Sequence, residues 1–175
     1  TLYYIRRFLI FFQKQFEQTK LESVELSAEL KACFDRIHQA FADHSDWLSG
    51  SINDQQRKTI LDQVGQAGSD FRTQIYDQAF SGRKTAITLD ELRDFVNISL
   101  QYVEHTIRAN KRTDDLYHAY NLMTVENDQE VSISYLSEML EGQVAVLSSG
   151  YLSSKEALQV LDGMKKSKLF REDQY

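Results

Sequence analysis

The densest group of potentially reactive side chains lies between residues 112 and 121. It comprises two carboxylates, an imidazole, two phenols and an amide, from Asp114, Asp115, Tyr117, His118, Tyr120 and Asn121. If the segment were helical, Asp114 and His118 would share a face, and the carboxylate would orient the imidazole and raise its pKa. A carboxylate pair can cleave a glycosidic bond, but the adjacent Asp114 and Asp115 would point in divergent directions. These six residues are therefore candidate ligand-binding residues, and none is assigned a catalytic role.

Two other interpretations of this segment remain open. In the first, which the sequence favours, Asp114 or Asp115 caps a short helix while Leu116, Tyr117 and Tyr120 pack inward. In the second, the least favoured, the chain is a small hydrolase or lyase that uses Asp114, Asp115 and His118. A concave pocket lined by Tyr117, His118, Tyr120 and Asn121 would favour ligand binding. Burial and full hydrogen bonding of both His118 and Tyr120 within the bundle would remove the site.

Metal and cofactor motifs are not evident elsewhere in the chain. Residues 87–92 resemble the exit half of a calcium-binding EF-hand loop, but Phe80 and Thr85 stand where aspartate and glycine are required. Residues 126–137 fail in the same way, because Val131 replaces the glycine and Ser137 the bidentate glutamate. The four histidines show no helical metal-site spacing, and no phosphate-binding glycine motif is present. We expect neither a metal ion nor a cofactor.

The elements that would carry these residues have helical periodicity. The spacing of apolar residues predicts six helices, near residues 2–19, 24–43, 54–79, 89–111, 134–148 and 154–166. Strand-like alternation is confined to Val131-Ser132-Ile133, and residues 112–133 form the longest stretch without clear helical periodicity. We therefore expect an all-α fold: one domain over residues 1–175, built as a bundle or arc of about six antiparallel helices with one irregular segment.

Local capping signals support these boundaries. Thr88-Leu89-Asp90-Glu91 and Ser153-Ser154-Lys155-Glu156 have the pattern of capping boxes, and Asn53-Asp54-Gln55-Gln56 is a weaker version. Gly150, which follows Ser148-Ser149, is placed as a left-handed residue at the end of a helix.

Composition excludes several classes of protein. The net charge of −6, with 20 basic and 26 acidic residues, disfavours nucleic-acid binding. The longest apolar run, Phe8 to Phe12, is far shorter than a membrane span, so no membrane insertion is expected. The single cysteine, Cys33, excludes an internal disulfide and favours a reducing compartment such as the cytoplasm, although it fixes no localisation. The 175 residues include no proline and begin at Thr1, and we expect a fragment of a longer, multidomain chain.

Two runs carry a partial resemblance to a known group of proteins. The runs from Asp115 to Met123 and from Tyr135 to Gly150 resemble helical segments of large bacterial carbohydrate-active proteins, of the glycoside phosphorylase and cyclic-glucan-synthase type. The resemblance covers about residues 115–173 and includes none of that group's catalytic signatures. It implies a polysaccharide-related parent protein, with the parent's other domains and a glycan as partners, and no catalytic residue here.

We therefore expect a noncatalytic helical region of a larger bacterial protein, associated with polysaccharide binding or processing. The alternative is a helical protein–protein interaction or scaffold module. In that case the aromatic first helix would dock on a partner through an exposed apolar face at Phe8, Phe11 and Phe12. The sequence favours a noncatalytic role for this chain in both cases.

Overall fold

A computed structural model describes residues 1–174 of the chain. Six α-helices account for most of this part: α1 (Leu2–Gln18), α2 (Ala28–Asp43), α3 (Asp54–Gln78), α4 (Leu89–Ala109), α5 (Leu140–Ser148) and α6 (Ser154–Lys166). Short 3-10 turns occur at Ser45–Ser49 and Glu172–Gln174. Within the described residues, each helix is either too short or too polar to traverse a lipid bilayer.

The expected all-α fold is wrong, because the protein also contains two antiparallel sheets of two strands each. Strand β1 (Ser23–Ser27) pairs with β2 (Lys84–Thr88), and β3 (Asn121–Asn127) pairs with β4 (Glu130–Tyr135). Ser27 ends β1 and also caps α2, since its hydroxyl accepts a hydrogen bond from the Leu30 amide at 3.2 Å. Leu26 and Leu30 lie four residues apart across this junction. Because this spacing is helical, most of β1 was assigned to the predicted second helix.

The first four helices form two helix–strand–helix units, α1–β1–α2 and α3–β2–α4, which are joined by the β1–β2 sheet. Helix α1 packs on α4, and α2 packs on α3, so each unit supplies one helix to each pair. The buried carboxylate of Glu29, on α2, ties the two units together, because its Oε1 accepts a hydrogen bond from the Ser81 amide at 3.0 Å. That amide belongs to the loop before β2, where Ala79 and Gly82 both have positive φ.

The β3–β4 hairpin replaces part of the predicted irregular segment and the start of the predicted fifth helix. Its turn is Asp128-Gln129, and β4 includes the one place where the sequence alternates like a strand. The hairpin packs on α3 through β4, where the Arg57 guanidinium donates to the Val131 carbonyl at 2.7 Å. Strand β3 is the outer strand and is exposed along its whole length.

The predicted helix caps are confirmed. Side-chain and backbone groups exchange hydrogen bonds in all three capping boxes, which begin α3, α4 and α6 at Asn53, Thr88 and Ser153. Gly150 follows α5 with a φ of 68°, in the left-handed region predicted for it.

The largest core cluster joins both ends of the chain. It lies where α1 and α4 meet α5 and α6, and its buried members are Tyr3, Ile107, Leu116, Tyr117, Val146 and Val160. Two helical glycines make this close packing possible. A Cβ on Gly142 would lie 2.9 Å from the Ala119 Cβ, and a Cβ on Gly163 would lie 2.7 Å from the Asp114 carbonyl oxygen.

Candidate functional site

The six candidate residues lie on a connecting segment, the strap, which we define as residues 110–121, from the end of α4 to the first residue of β3. The strap is not helical. Its ends are held together by hydrogen bonds from the His118 amide to the Asn110 carbonyl at 2.9 Å and from the Asn121 side chain to the Asn110 side chain at 2.8 Å. Since Asn110 is buried, these contacts make the strap an ordered part of the fold.

A buried glutamine fixes the middle of the strap. Gln143, on α5, is fully inaccessible to solvent, and its Oε1 accepts a hydrogen bond from the Tyr117 amide at 2.9 Å. Its Nε2 donates to the Tyr117 carbonyl, also at 2.9 Å. The Tyr117 side chain is buried in the main core, and this burial raises its pKa to about 12. Tyr117 therefore contributes to packing and is not presented to solvent.

The two carboxylates of the strap are each paired with a basic residue. Asp114 receives hydrogen bonds from the Arg112 guanidinium, the shortest at 2.8 Å, and these hold the pKa of Asp114 below its usual range. Asp115, whose φ is 64°, forms an ion pair with Lys111 at 3.0 Å. Because the strap is not helical, the condition under which Asp114 and His118 would share a helical face is not met.

His118 forms an aromatic contact. Its ring stacks on Tyr135 with a centroid separation of 4.0 Å and an interplanar angle of 15°. Burial and the nearby Arg112 cation lower the pKa of His118, which disfavours the charged form of the ring. Its Nδ1 is buried and has no hydrogen-bond partner within residues 1–174. Tyr120 is 60% exposed, so the condition that would have removed the site, burial of both residues, is not met.

A polar pocket of about 330 Å³ lies between the strap and α6. Its lining consists of Asp114, Asp115, Gln159, Asp162, Gly163, Lys166 and Ser167. Only two of the six candidate residues line it. Tyr117 points into the core, while His118, Tyr120 and Asn121 lie towards the β3–β4 hairpin. The candidate residues are thus distributed over three environments, and their role as ligand contacts stays a prediction.

The exposed aromatic face of α1 is the second candidate surface. Tyr4, Phe8 and Phe11 are 62%, 60% and 54% exposed, although all three are large apolar side chains. The opposite side of α1 is buried through Tyr3 and Leu9. Because residues 4, 8 and 11 have the spacing of one helical stripe, these side chains form one continuous strip, which we call the aromatic stripe.

An apolar pocket of about 250 Å³ lies at the C-terminal end of α1. It is lined by Gln15, Phe16, Thr19, Leu21, Ser23, Val24, Leu89 and Leu92. Gln15 follows Phe11 on the same helical stripe, so the aromatic stripe leads towards this pocket. Sequence reasoning missed it, because its walls come from α1, β1 and the start of α4. The one available signal of this pocket in the sequence was an apolar residue, Leu21, just after the end of α1, and its side chain is exposed.

The possible calcium residues have structural roles. The Glu91 carboxylate accepts hydrogen bonds from the Thr88 amide at 2.7 Å and the Thr88 hydroxyl at 2.8 Å, and it pairs with Lys31 at 3.1 Å. These contacts lower the pKa of Glu91 to about 2. Residues 126–137 run through the β3–β4 hairpin. Throughout the described part of the chain, no three histidine, cysteine or acidic side chains are grouped so that they could hold a metal ion.

Comparison with known proteins does not assign the chain to a family. No protein-family model matches it, and no curated protein matches it either. The resemblance to glycoside phosphorylases and cyclic-glucan synthases therefore stays a prediction from the sequence.

Proposed function

We propose that this chain is a noncatalytic helical interaction module of a larger protein and that it binds its partner through α1. The observation that carries the proposal is the aromatic stripe. At about 200 Å² for each aromatic residue, its three side chains leave roughly 350 Å² accessible to solvent. A contiguous apolar patch of this size is comparable to the largest patch on a typical monomer, and such patches often have a function.

The geometry of the strap supports the noncatalytic part of this proposal. Both of its carboxylates are paired with cations, and Tyr117 is held by Gln143 in the core. Acid–base catalysis would require at least one such group to be free and aimed into a cleft. The pairing of these carboxylates and the burial of Tyr117 therefore favour a structural role for these three residues.

A helical peptide tests this proposal. The probe is a peptide of about 18 residues, about 27 Å long as a helix, with a leucine stripe flanked by glutamine and a side-chain cross-link that keeps it helical. Fluorescence anisotropy should show saturable binding to the wild type and loss of binding to Phe8→Asp. Tyr76→Asp, on the exposed surface of α3, should bind as the wild type does. Equal binding by all three proteins, or by none, would contradict the proposal.

A polysaccharide-related role is the second candidate, favoured by the polar pocket and by the exposed Tyr120 and Tyr135. Carboxylate and amide groups in the pocket suit sugar hydroxyls, and exposed tyrosine rings suit the apolar faces of sugars. A panel of oligosaccharides tests this role by thermal melting. A sugar at 100 times its dissociation constant would add about 2.7 kcal/mol to stability. The variant Asp162→Asn should reduce that shift, and a melting temperature unchanged by every sugar would contradict this candidate.

A further inference from the structure

The charges beside the aromatic stripe indicate which partner suits it. Arg7 and Lys14 are exposed and lie seven residues apart, about 10 Å along one flank of the stripe. The Arg7 guanidinium carbon lies 5.8 Å from the centre of the Tyr4 ring. Neither residue takes part in an ion pair within residues 1–174, whereas the neighbouring Arg6 is bound to Glu104 at 2.7 Å. The flank therefore presents two unpaired cations next to exposed apolar rings.

This arrangement disfavours a second copy of the chain as the occupant. In an antiparallel pair of helices, the same flank of each helix meets at the interface. Two α1 helices packed in this way would bring both copies of Arg7 and Lys14 together and repel each other. In a parallel pair the cations would face the apolar Ile5 and Phe12 side, and would remain unpaired.

The apolar pocket adds a second feature of recognition. It lies where the aromatic stripe ends, and its volume of about 250 Å³ suits one large apolar side chain. Phe16 and Leu92 form part of its wall, so an inserted side chain would contact the packed region between α1 and α4. An anchor residue that fills a pocket is typical of helices that dock in apolar grooves.

Resting on the proposed function above, we propose that the partner is an amphipathic helix with acidic residues along one flank and a large apolar anchor at one end. Its apolar stripe packs on Tyr4, Phe8 and Phe11, its carboxylates pair with Arg7 and Lys14, and its anchor enters the pocket. The net charge of −6 repels such a helix only weakly, because charges more than about 8 Å from the docked helix are screened at physiological salt.

The test uses two more versions of the cross-linked peptide, with the glutamine flanks replaced by glutamate or by lysine. At about 0.15 M salt, the glutamate peptide should bind the wild type about tenfold more tightly than the lysine peptide. The double variant Arg7→Glu with Lys14→Glu should reverse this preference. A control with the same change in charge, Arg72→Glu with Lys155→Glu, alters exposed residues on α3 and α6 and should retain it.

The outcomes separate this inference from the proposed function. Equal binding of both charged peptides, with loss of both in Phe8→Asp, would overturn the acidic partner and leave apolar docking on α1 intact. No binding of any peptide would overturn both. A wild-type dimer in sedimentation that Phe8→Asp dissociates would also overturn the inference, because the occupant would then be a second copy. The expected result is that the preference for the glutamate peptide reverses only in the variant Arg7→Glu with Lys14→Glu. The preference of the wild type should also weaken at about 0.5 M salt.

Discussion

Removal of the Gln143 amide is the sharpest test of the strap as a structural element. Gln143→Leu keeps a side chain of similar size but deletes both hydrogen bonds to the Tyr117 backbone and a third, from Nε2 to the Met139 carbonyl at 3.0 Å. The Tyr117 amide and carbonyl then remain buried without partners. Each such group costs about 1–3 kcal/mol, so the loss for two is about 2–6 kcal/mol.

Urea denaturation, followed by circular dichroism, measures this loss directly. A loss near the middle of that range corresponds to a decrease in melting temperature of roughly 10 °C for a chain of this size. Gln74→Leu, at an exposed position on α3, is the matched control and should change stability by less than about 0.5 kcal/mol. A decrease in the free energy of unfolding of less than about 1 kcal/mol in Gln143→Leu would refute the role of Gln143 in holding the strap, because the strap would then be held by other contacts.

Three further predictions concern the helices and their caps. Gly163→Ala should destabilise the protein by about 1–3 kcal/mol in urea denaturation, because its Cβ would lie 2.7 Å from the Asp114 carbonyl oxygen. Gly68→Ala, with open space around it on α3, should instead stabilise by up to about 1 kcal/mol, and the same sign for both would contradict the packing. Hydrogen bonds lower the pKa values of Glu29 and Glu91 to about 2, from an ordinary 4.5. Their stabilisation is therefore complete above about pH 4.5 and lost as the pH falls towards 2, so Glu29→Gln should flatten a plot of unfolding free energy against pH in that interval. Calcium should leave the melting temperature unchanged, since Glu91 is engaged by its cap and Lys31; an upward shift would show a calcium site.

Local signals in the sequence predicted the helices well. The capping boxes at Asn53, Thr88 and Ser153 each need only residues within one turn, and all three begin helices as expected. Hydrophobic spacing then placed α3, α4 and α6 within about two residues of their observed ends. These features depend on neighbours in the chain, so one sequence suffices to predict them.

The strands could not be predicted in the same way, because their pairing is not local. Ser23 lies opposite Thr88, and each strand of that sheet has only five residues. Such strands are too short to show a clear alternation, and the spacing of Leu26 and Leu30 continued the helical pattern of α2. The alternation at Val131–Ile133 was genuine, yet its partner strand, β3, carries no comparable signal.

The candidate site shows the same division between local and tertiary information. The sequence identified the residues of the strap and predicted an irregular segment there, but it could not show how that segment folds. It gave no sign that Gln143, a polar residue in a predicted helix, would be fully buried against Tyr117. The aromatic character of α1 was evident, whereas the exposed side of that helix depends on how it packs against α4.

Photo-crosslinking tests the central claim, docking on α1, most directly. A photoreactive leucine in the glutamine-flanked peptide would label the surface that it contacts, and mass spectrometry would locate the labelled residues. The account predicts labels within residues 2–24 or at Leu89 and Leu92, on α1 and the adjoining pocket, with loss of labelling in Phe8→Asp. Labels concentrated on the exposed strand β3, at Leu122, Met123 or Val125, would contradict it, because the interaction surface would then be the hairpin.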